Sequence, residues 1–497
     1  MNLPNAFAEV AKNNLQKPAL FWGDEEFSYG QLWAQSLWLA AKLQNEFCVK
    51  RGARVAVWLK NCPQFVSSIF GVLQAGAVAT PINNFLKADE VDFILRDAGI
   101  DLVITDASLT EGVEKLRELR PGLNFLRVED FPDGDLGPVE NDSAALPTEG
   151  DLAVLIYTSG TTGRPKGAML SHGNLLHNVE SCRRVLRAVG DDRIVVLLPM
   201  FHSFMLCVGV MLPLLVGGSI VLIKSVHPVK NIVQEIAHRR ATILPAVPQF
   251  FRAFTHPSIP TDLPLRLCIS GAAPLPHEIL REFAARFSIP LLEGYGLSEA
   301  SPVVSFNPLD WQKPGSIGKP VWDVRVSIQS DEGKMLGADE TGEVCVQGGN
   351  VMQGYWRQPD ETAKAMRGDW LLTGDIGHMD GDGFIFITDR KKDMLLVNGI
   401  NVYPRELEEI IYQFPNVKEA AVIGVKCPRK GEQPVAYVST MDGAALDEKA
   451  LQEFLREKLA DYKVPKKIVT LPSLPRNATG KILKTALRNM ETSRSQS

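Results

Sequence analysis

At about 100–200 residues per domain, a chain of 497 residues calls for two to four structural units rather than one. Hydrophobic residues make up 45% and charged residues 22%, a globular composition that excludes a mostly disordered or fibrous protein. Lys and Arg number 53 against 58 Asp and Glu, for a net charge of −5, so there is no general cationic field and nucleic acid is not an expected partner.

The N-terminus, MNLPNAFAEVAKNN, lacks a basic stretch followed by an apolar run, so no signal peptide is expected. Short β-branched runs then alternate with helical patterns. RVAVWL (54–59) precedes a helical stretch from Pro63, and AVATPI (77–82) precedes a helix near Ala88–Asp97. DLVITD (101–106) closes this series, whose rhythm predicts parallel strands with crossover helices. Residues 129–151, rich in Asp, Glu, Pro and Gly, read as an exposed connection.

A second series follows: AVLIYT (153–158), RIVVLL (193–198), SIVLI (219–223), ATILPA (241–246) and LRLCIS (265–270). A helix from Pro276 carries the stripe Ile279, Leu280, Phe283 and Phe287. From Phe204 to Ile223 there is no charge, which is long enough to cross a bilayer. Pro213 and the turn signal Gly217-Gly218 favour another reading: a buried helix to about Val216, a tight turn, and a core strand Ser219–Ile223. No transmembrane segment is therefore expected. After about Gly315, the runs VRVSIQ, GEVCVQG and GFIFIT suggest a partly antiparallel β unit. The last hundred or so residues read as a small α+β domain. In it Pro404 opens a helix with Leu407, Ile410, Ile411 and Phe414 on one face, two strands (AAVIGV, PVAYVS) follow, and a helix aligns Leu451, Phe454, Leu455 and Leu459.

The seven cysteines are scattered, odd in number and never in C-x-x-C spacing. Neither a disulfide framework nor a zinc site is indicated, and a reducing, cytoplasmic compartment fits best.

The loudest local signal is YTSGTTGRPKG, Tyr157 to Gly167, placed after a strand and before a helix starting near His172. Its glycines let backbone N–H groups approach a ligand, its hydroxyls donate hydrogen bonds, and Lys166 adds a point charge, a combination suited to phosphate. It is not a Walker A loop, because the GK[ST] ending is missing. Taken alone, an ordinary Gly/Ser/Thr turn explains it equally well.

The phrase also resembles the signature loop of the adenylate-forming (AMP-binding) superfamily of acyl-CoA synthetases, peptide-synthetase adenylation domains and luciferases. The resemblance continues in order through EGYGLSEASP (293–302), WLLTGD (370–375), TDRKKDMLLVNGINVYPRELEE (388–409) and PRNATGK (475–481). Within the superfamily, EGYGLSEASPVVSFNP and DRKKDMLLVNGINVYPRE look most like bacterial long-chain fatty-acid–CoA ligases. The resemblance implies an α/β fold: a large N-terminal domain of α/β subdomains plus a β unit (1–389), a hinge (390–393), and a small mobile α+β C-terminal domain (394–497). It implies activation of a medium- to long-chain fatty acid by ATP and Mg²⁺ to acyl-AMP, then transfer to CoA. Aromatic acids, and a carrier-protein phosphopantetheine thiol as acceptor, stay open. So do peripheral membrane contact and a homodimer.

Site residues follow from the same resemblance. Thr158, Ser159, Gly160, Thr161, Thr162, Gly163 and Lys166 correspond to the phosphate loop. Gly271, Ala272 and Ala273 correspond to the small-residue segment beside the purine. Glu293, Gly294, Tyr295, Gly296 and Ser298 belong to the nucleotide site, with Tyr295 stacked on adenine; a core tyrosine between turn glycines is the alternative. Glu299 is the expected Mg²⁺ ligand, since a hard cation prefers carboxylate oxygen; otherwise it is a solvated acid. Asp375 suits two ribose hydroxyls and Arg390 a ribose contact. Lys481 corresponds to the lysine that reaches the reacting carboxylate and α-phosphate, although in isolation it reads as a surface lysine. Asp393 corresponds to the hinge and Gly399 to the passage of the CoA arm. His202 resembles a histidine beside the acyl pocket, or is a satisfied core residue. The apolar run after it lines an acyl channel or is plain core. Phe201-His202-Ser203 carries no acid to pair a substrate ammonium, which argues against an α-amino acid.

Overall fold

A computed structural model describes residues 1–132, 147–159, 165–427, 431–441, 444–477 and 480–494. The alternating runs build two largely parallel sheets. The first orders its strands Asn124–Arg127, Leu102–Thr105, Arg54–Trp58, Val78–Pro81, Leu152–Ser159 and Pro165–Ser171. Every neighbouring pair is parallel except the last, a hairpin in which Thr158 opposes Lys166. The strand Pro165–Ser171 was not anticipated, because its Pro-Lys-Gly start reads as a turn. The helix His172–Val185 then starts where expected, capped by Ser171 and Asn174 in a reciprocal box. Most of the acidic connection, 133–146, lies outside the described residues.

The second sheet has nine strands: Lys319–Pro320, Val303–Phe306, Leu291–Gly296, Leu267–Ser270, Ile243–Ala246, Arg193–Val196, Ser219–Leu222, Pro18–Trp22 and Glu25–Ser28. Its centre is parallel and its two edges are antiparallel. The N-terminal hairpin at one edge went unread in the sequence, as did the helices Leu3–Asn13 and Tyr29–Asn45 beside it. Phe7 of the first helix stacks on Phe70 of Pro63–Gln74 with ring centroids 4.1 Å apart, tying the chain start to the core.

The uncharged stretch forms a π-helical turn, Met205–Met211, then the helix Leu212–Val216. Gly217 turns the chain at φ +81°, a conformation that costs glycine nothing, into the strand Ser219–Leu222. Met205, Val208, Val210, Met211, Leu212 and Leu214 are fully buried. This run is core. Among the described residues no helix is long and apolar enough to cross a membrane.

An antiparallel sheet follows, Val324–Gln329, Gly342–Gly348, Trp370–Met379 and Met366–Arg367, with Ile385–Arg390 paired to Trp370–Met379. The fourth sheet joins Ile400–Val402, Leu395–Val397, Gly431–Thr440 and Val417–Cys427, with Lys467–Thr470 parallel to Gly431–Thr440. Leu407 and Ile411 of Pro404–Ile411 pack with Leu451 and Leu455 of Glu448–Lys458 in a core separate from that of the large sheets. The molecule is thus mixed α/β, with a large N-terminal domain and a small C-terminal one.

Candidate active site

In open α/β sheets, ligands sit beyond the carboxyl ends of the strands. Both parallel sheets obey this rule here. Ser159, Ala246, Ser270 and Gly296 end their strands, and the residues around and after those ends line one cleft. The antiparallel sheet adds Thr373, Gly374 and Arg390, and the C-terminal domain adds Asn477 and Lys481. The main cavity measures about 630 Å³ and adjoins a smaller one of about 220 Å³ between the two domains.

At one end of the cleft, three groups form a connected set. The Tyr295 hydroxyl donates to Asp375 Oδ2 at 2.5 Å, and Arg390 Nε donates to Asp375 Oδ1 at 3.0 Å. Burial, then the Asp375 charge, pushes the Tyr295 phenol well above its ordinary range, so it stays a donor. Burial works against the Arg390 charge, but the Asp375 carboxylate outweighs it and raises the guanidinium. Gly294 and Gly296 flank the ring for a steric reason: a Cβ would lie 2.1 Å from the Phe306 ring or from the Pro302 carbonyl oxygen. Gly271, Ala272 and Ala273 lie beside this set on the cavity walls, and Ala272 holds a left-handed φ of +64°.

At the other end, Thr158 and Lys166 face the cleft from adjacent strands. Lys166 Nζ pairs with Glu361 and lies 5.2 Å from the Tyr355 ring centroid. The Tyr355 hydroxyl donates to Glu299 Oε1 at 2.9 Å. The hydroxyls of Ser298 and Ser203 are 2.9 Å apart, and both serines line the cleft. Of the loop, the backbone of Ser159 ends its strand, whereas Gly160, Thr161, Thr162 and Gly163 lie outside the described residues.

Lys481 enters this cleft from the C-terminal domain and lines both cavities. Its backbone N–H donates to Asn477 Oδ1 at 2.9 Å. Burial, with Arg390 adding to it, pushes the ammonium down to about 8, while Asp375 and Asp393 act the other way. His202 shares the main cavity. Burial and the Lys481 charge push its imidazole down to about 4, and Nδ1 accepts the Phe204 N–H at 3.3 Å, which leaves Nε2 as the donor. Of the apolar run beyond, Phe204 is the member that lines the cleft. Asp393 is buried at the edge of the smaller cavity, where it accepts from Arg488 at 2.7 Å. Gly399 is not brought to the site. It lies exposed, at φ +78°, where the strands Leu395–Val397 and Ile400–Val402 meet.

Several neighbours of these residues escaped the sequence reading. Tyr355 and Glu361 lie in a GYWRQPDET segment far from their partners in sequence, and nothing local announces them. Arg405 was missed too: it lies 3.8 Å from Glu293, which the sequence did place at the nucleotide site and which turns toward the smaller cavity, where the Leu275 N–H donates to its Oε1 at 3.0 Å. Burial outweighs Arg405 and lifts this carboxyl to about 7. Glu408 pairs with Lys484 at 2.8 Å in the same interdomain space.

An aromatic ring, a paired carboxylate and two lysines converge on one crevice, an arrangement with the charge to hold a polyanionic ligand. Residues 7–356 match the family model described as AMP-binding enzyme, and residues 406–481 that of the AMP-binding enzyme C-terminal domain. The chain is 36% identical over 532 residues to a long-chain-fatty-acid–CoA ligase of Bacillus subtilis (strain 168), covering 99% of this chain and 94% of that one. It is 38% identical over 448 residues to a feruloyl-CoA synthase of Amycolatopsis sp, covering 88% and 89%. Among solved structures, the anthranilate CoA ligase AuaEII in complex with anthranoyl-AMP matches with a TM-score of 0.91 at 27% identity, over 99% of this chain and 97% of that one. The chain belongs to the AMP-binding enzyme family, as an adenylate-forming acid–CoA ligase.

Proposed function

We propose that the protein uses ATP to convert a carboxylic acid to an acyl-adenylate, releasing pyrophosphate, and then passes the acyl group to the thiol of CoA, releasing AMP. The observation that carries this reading is the convergence of Lys481 on the Tyr295–Asp375–Arg390 set, with Lys166 across the same cavity. A carboxylate is a weak nucleophile and the α-phosphate is anionic, so the catalyst's task is to neutralise charge and align reactants. Lys166 and the phosphate loop hold the departing phosphates, Lys481 bridges the acid and the α-phosphate, and Asp375 and Arg390 hold the ribose beside Tyr295. His202, neutral at physiological pH, orients the acid as a donor through Nε2. No protein nucleophile is needed.

Glu299 is a single carboxylate held by the Tyr355 hydroxyl, and no cluster of three or more His, Cys, Asp or Glu occurs among the described residues. That donor set suits Mg²⁺ carried chiefly by substrate phosphates, with one protein oxygen completing its hold. When bound, the ion neutralises phosphate charge. Residues 390–393 act as the hinge between residues 1–389 and 394–497, and the second half-reaction brings Gly399 to the CoA arm. The seven cysteines, all free, suit a cytoplasmic setting.

For the acid, we take a medium- to long-chain fatty acid, supported by the full-length likeness to a long-chain-fatty-acid–CoA ligase. A second reading, an aromatic acid, is favoured by the feruloyl-CoA synthase relative and by the packing of the uncharged run as core rather than as an open channel. A panel of straight-chain, benzoic and cinnamic acids, assayed by pyrophosphate release with and without CoA, separates them. Each methylene buried adds ~0.8 kcal/mol, so kcat/KM should climb with chain length until the site is filled. An aromatic acid at the top of the panel overturns the fatty-acid assignment, and thioester formation only on a carrier protein overturns the CoA assignment.

A further inference from the structure

Glu361 sits in the short helix Pro359–Ala365 and divides its carboxylate between two lysines. One oxygen meets Lys166 Nζ, and the other accepts from Lys364 Nζ at 2.7 Å. The two lysines are unequal: Lys364 stands in solvent, whereas Lys166 is only 8% exposed and is boxed in by the Tyr355 ring. The helix is fixed to that box, since Thr362 Oγ1 accepts the Tyr355 N–H at 2.8 Å while donating to the Gln358 carbonyl at 2.9 Å. Lys166 and then Lys364 hold the Glu361 carboxyl down at about 2, so it is charged throughout the working pH range.

A cation as enclosed as Lys166 is costly without a counter-charge. Nucleotide phosphate would supply one, and Glu361 supplies it here. Its second lysine makes the exchange cheap, because releasing Lys166 leaves the carboxylate paired and partly solvated. We propose that Glu361 is a placeholder for nucleotide phosphate: it holds Lys166 aimed into the cleft, yields it when ATP binds while staying paired with Lys364, and recaptures it when pyrophosphate leaves. Glu361 is therefore a positioning residue that lowers affinity for both ATP and pyrophosphate. The proposal rests on Lys166 being a phosphate ligand, as read above.

The test compares the full-length wild type with Glu361→Gln, Glu361→Asp and Lys166→Met, measuring Mg·ATP affinity by calorimetry at fixed ionic strength and the inhibition constant of pyrophosphate. Glu361→Gln keeps the shape and removes the competing charge. ATP affinity should rise about five- to tenfold, the pyrophosphate inhibition constant should fall in parallel, and kcat should not rise. Glu361→Asp, which restores the charge, should return both constants toward wild type. Should the glutamine variant be insoluble, Glu361→Ala removes the same charge and carries the same expectation. If the neutral variants bind ATP as wild type does, or more weakly, while Lys166→Met loses affinity, Glu361 is a purely structural partner and the proposal fails. If Lys166→Met binds ATP as well as wild type, the phosphate role of Lys166 itself is wrong.

Discussion

Asp375 and Arg390 are directly opposed on the antiparallel strands Trp370–Met379 and Ile385–Arg390, and the guanidinium Nε donates to the carboxylate at 3.0 Å. The Tyr295 hydroxyl reaches the other oxygen of Asp375 from the nine-stranded sheet. One buried carboxylate thereby joins the floor of the cleft to the strand that leads into the C-terminal domain.

Asp375→Asn should remove one acceptor and turn an amide N–H toward a donor. Hydrogen bonds to charged groups are the stronger ones, so AMP and ATP affinity should fall about ten- to hundredfold with the fold retained by circular dichroism. Calorimetric titration with AMP checks this. Wild-type affinity in the variant would place the ribose elsewhere.

Glu299→Gln keeps an acceptor for the Tyr355 hydroxyl, so the variant should fold normally. A neutral amide is the poorer partner for a hard cation. ATP–pyrophosphate exchange should require more Mg²⁺ to reach half its maximal rate, and an unchanged Mg²⁺ dependence would remove Glu299 from the metal's surroundings.

The pH dependence follows from Lys481, which burial places at about 8 in the free enzyme. The charged form is the one adenylation needs, so kcat/KM for acyl-AMP formation should fall as pH rises through about 8. Lys481→Arg, which stays charged, should lose that limb at whatever rate it retains. The stability effect has the opposite sense. The folded-state value lies below the ordinary 10.5, so burying the charge costs most below about 8, and the cost is relieved between there and 10.5. Nucleotide-free wild type should gain thermal stability relative to Lys481→Met across that window.

Local patterns in the sequence carried much of the architecture. The runs around Arg54–Trp58, Val78–Pro81 and Ser219–Leu222 are β-branched and bounded by turn residues, so their strands were legible. Pro404 at the start of its helix was legible for the same kind of reason. The strand Pro165–Ser171 was hidden because its first residues read as turn formers, and the N-terminal hairpin because its partner strand lies two hundred or so residues away. The motif residues Lys166, Tyr295, Asp375, Arg390 and Lys481 do converge on one cleft. The partners of the site's charged residues, Glu361 on Lys166, Tyr355 on Glu299 and Arg405 near Glu293, depend on contacts between distant segments that no local spacing encodes.

Lys481→Ala, followed through the two half-reactions separately, tests the account most directly. The lysine stands in the cleft in this domain orientation, and on the proposed mechanism negative charge crowds the α-phosphate there during adenylation. Its loss should cost ~3 kcal/mol or more of transition-state stabilisation, on the order of a hundredfold or greater in the rate of acyl-AMP formation from acid and ATP. Given pre-formed acyl-AMP and CoA, the same variant should make thioester at close to the wild-type rate. Equal loss of both half-reactions in a folded variant, or no loss of adenylation, would contradict it.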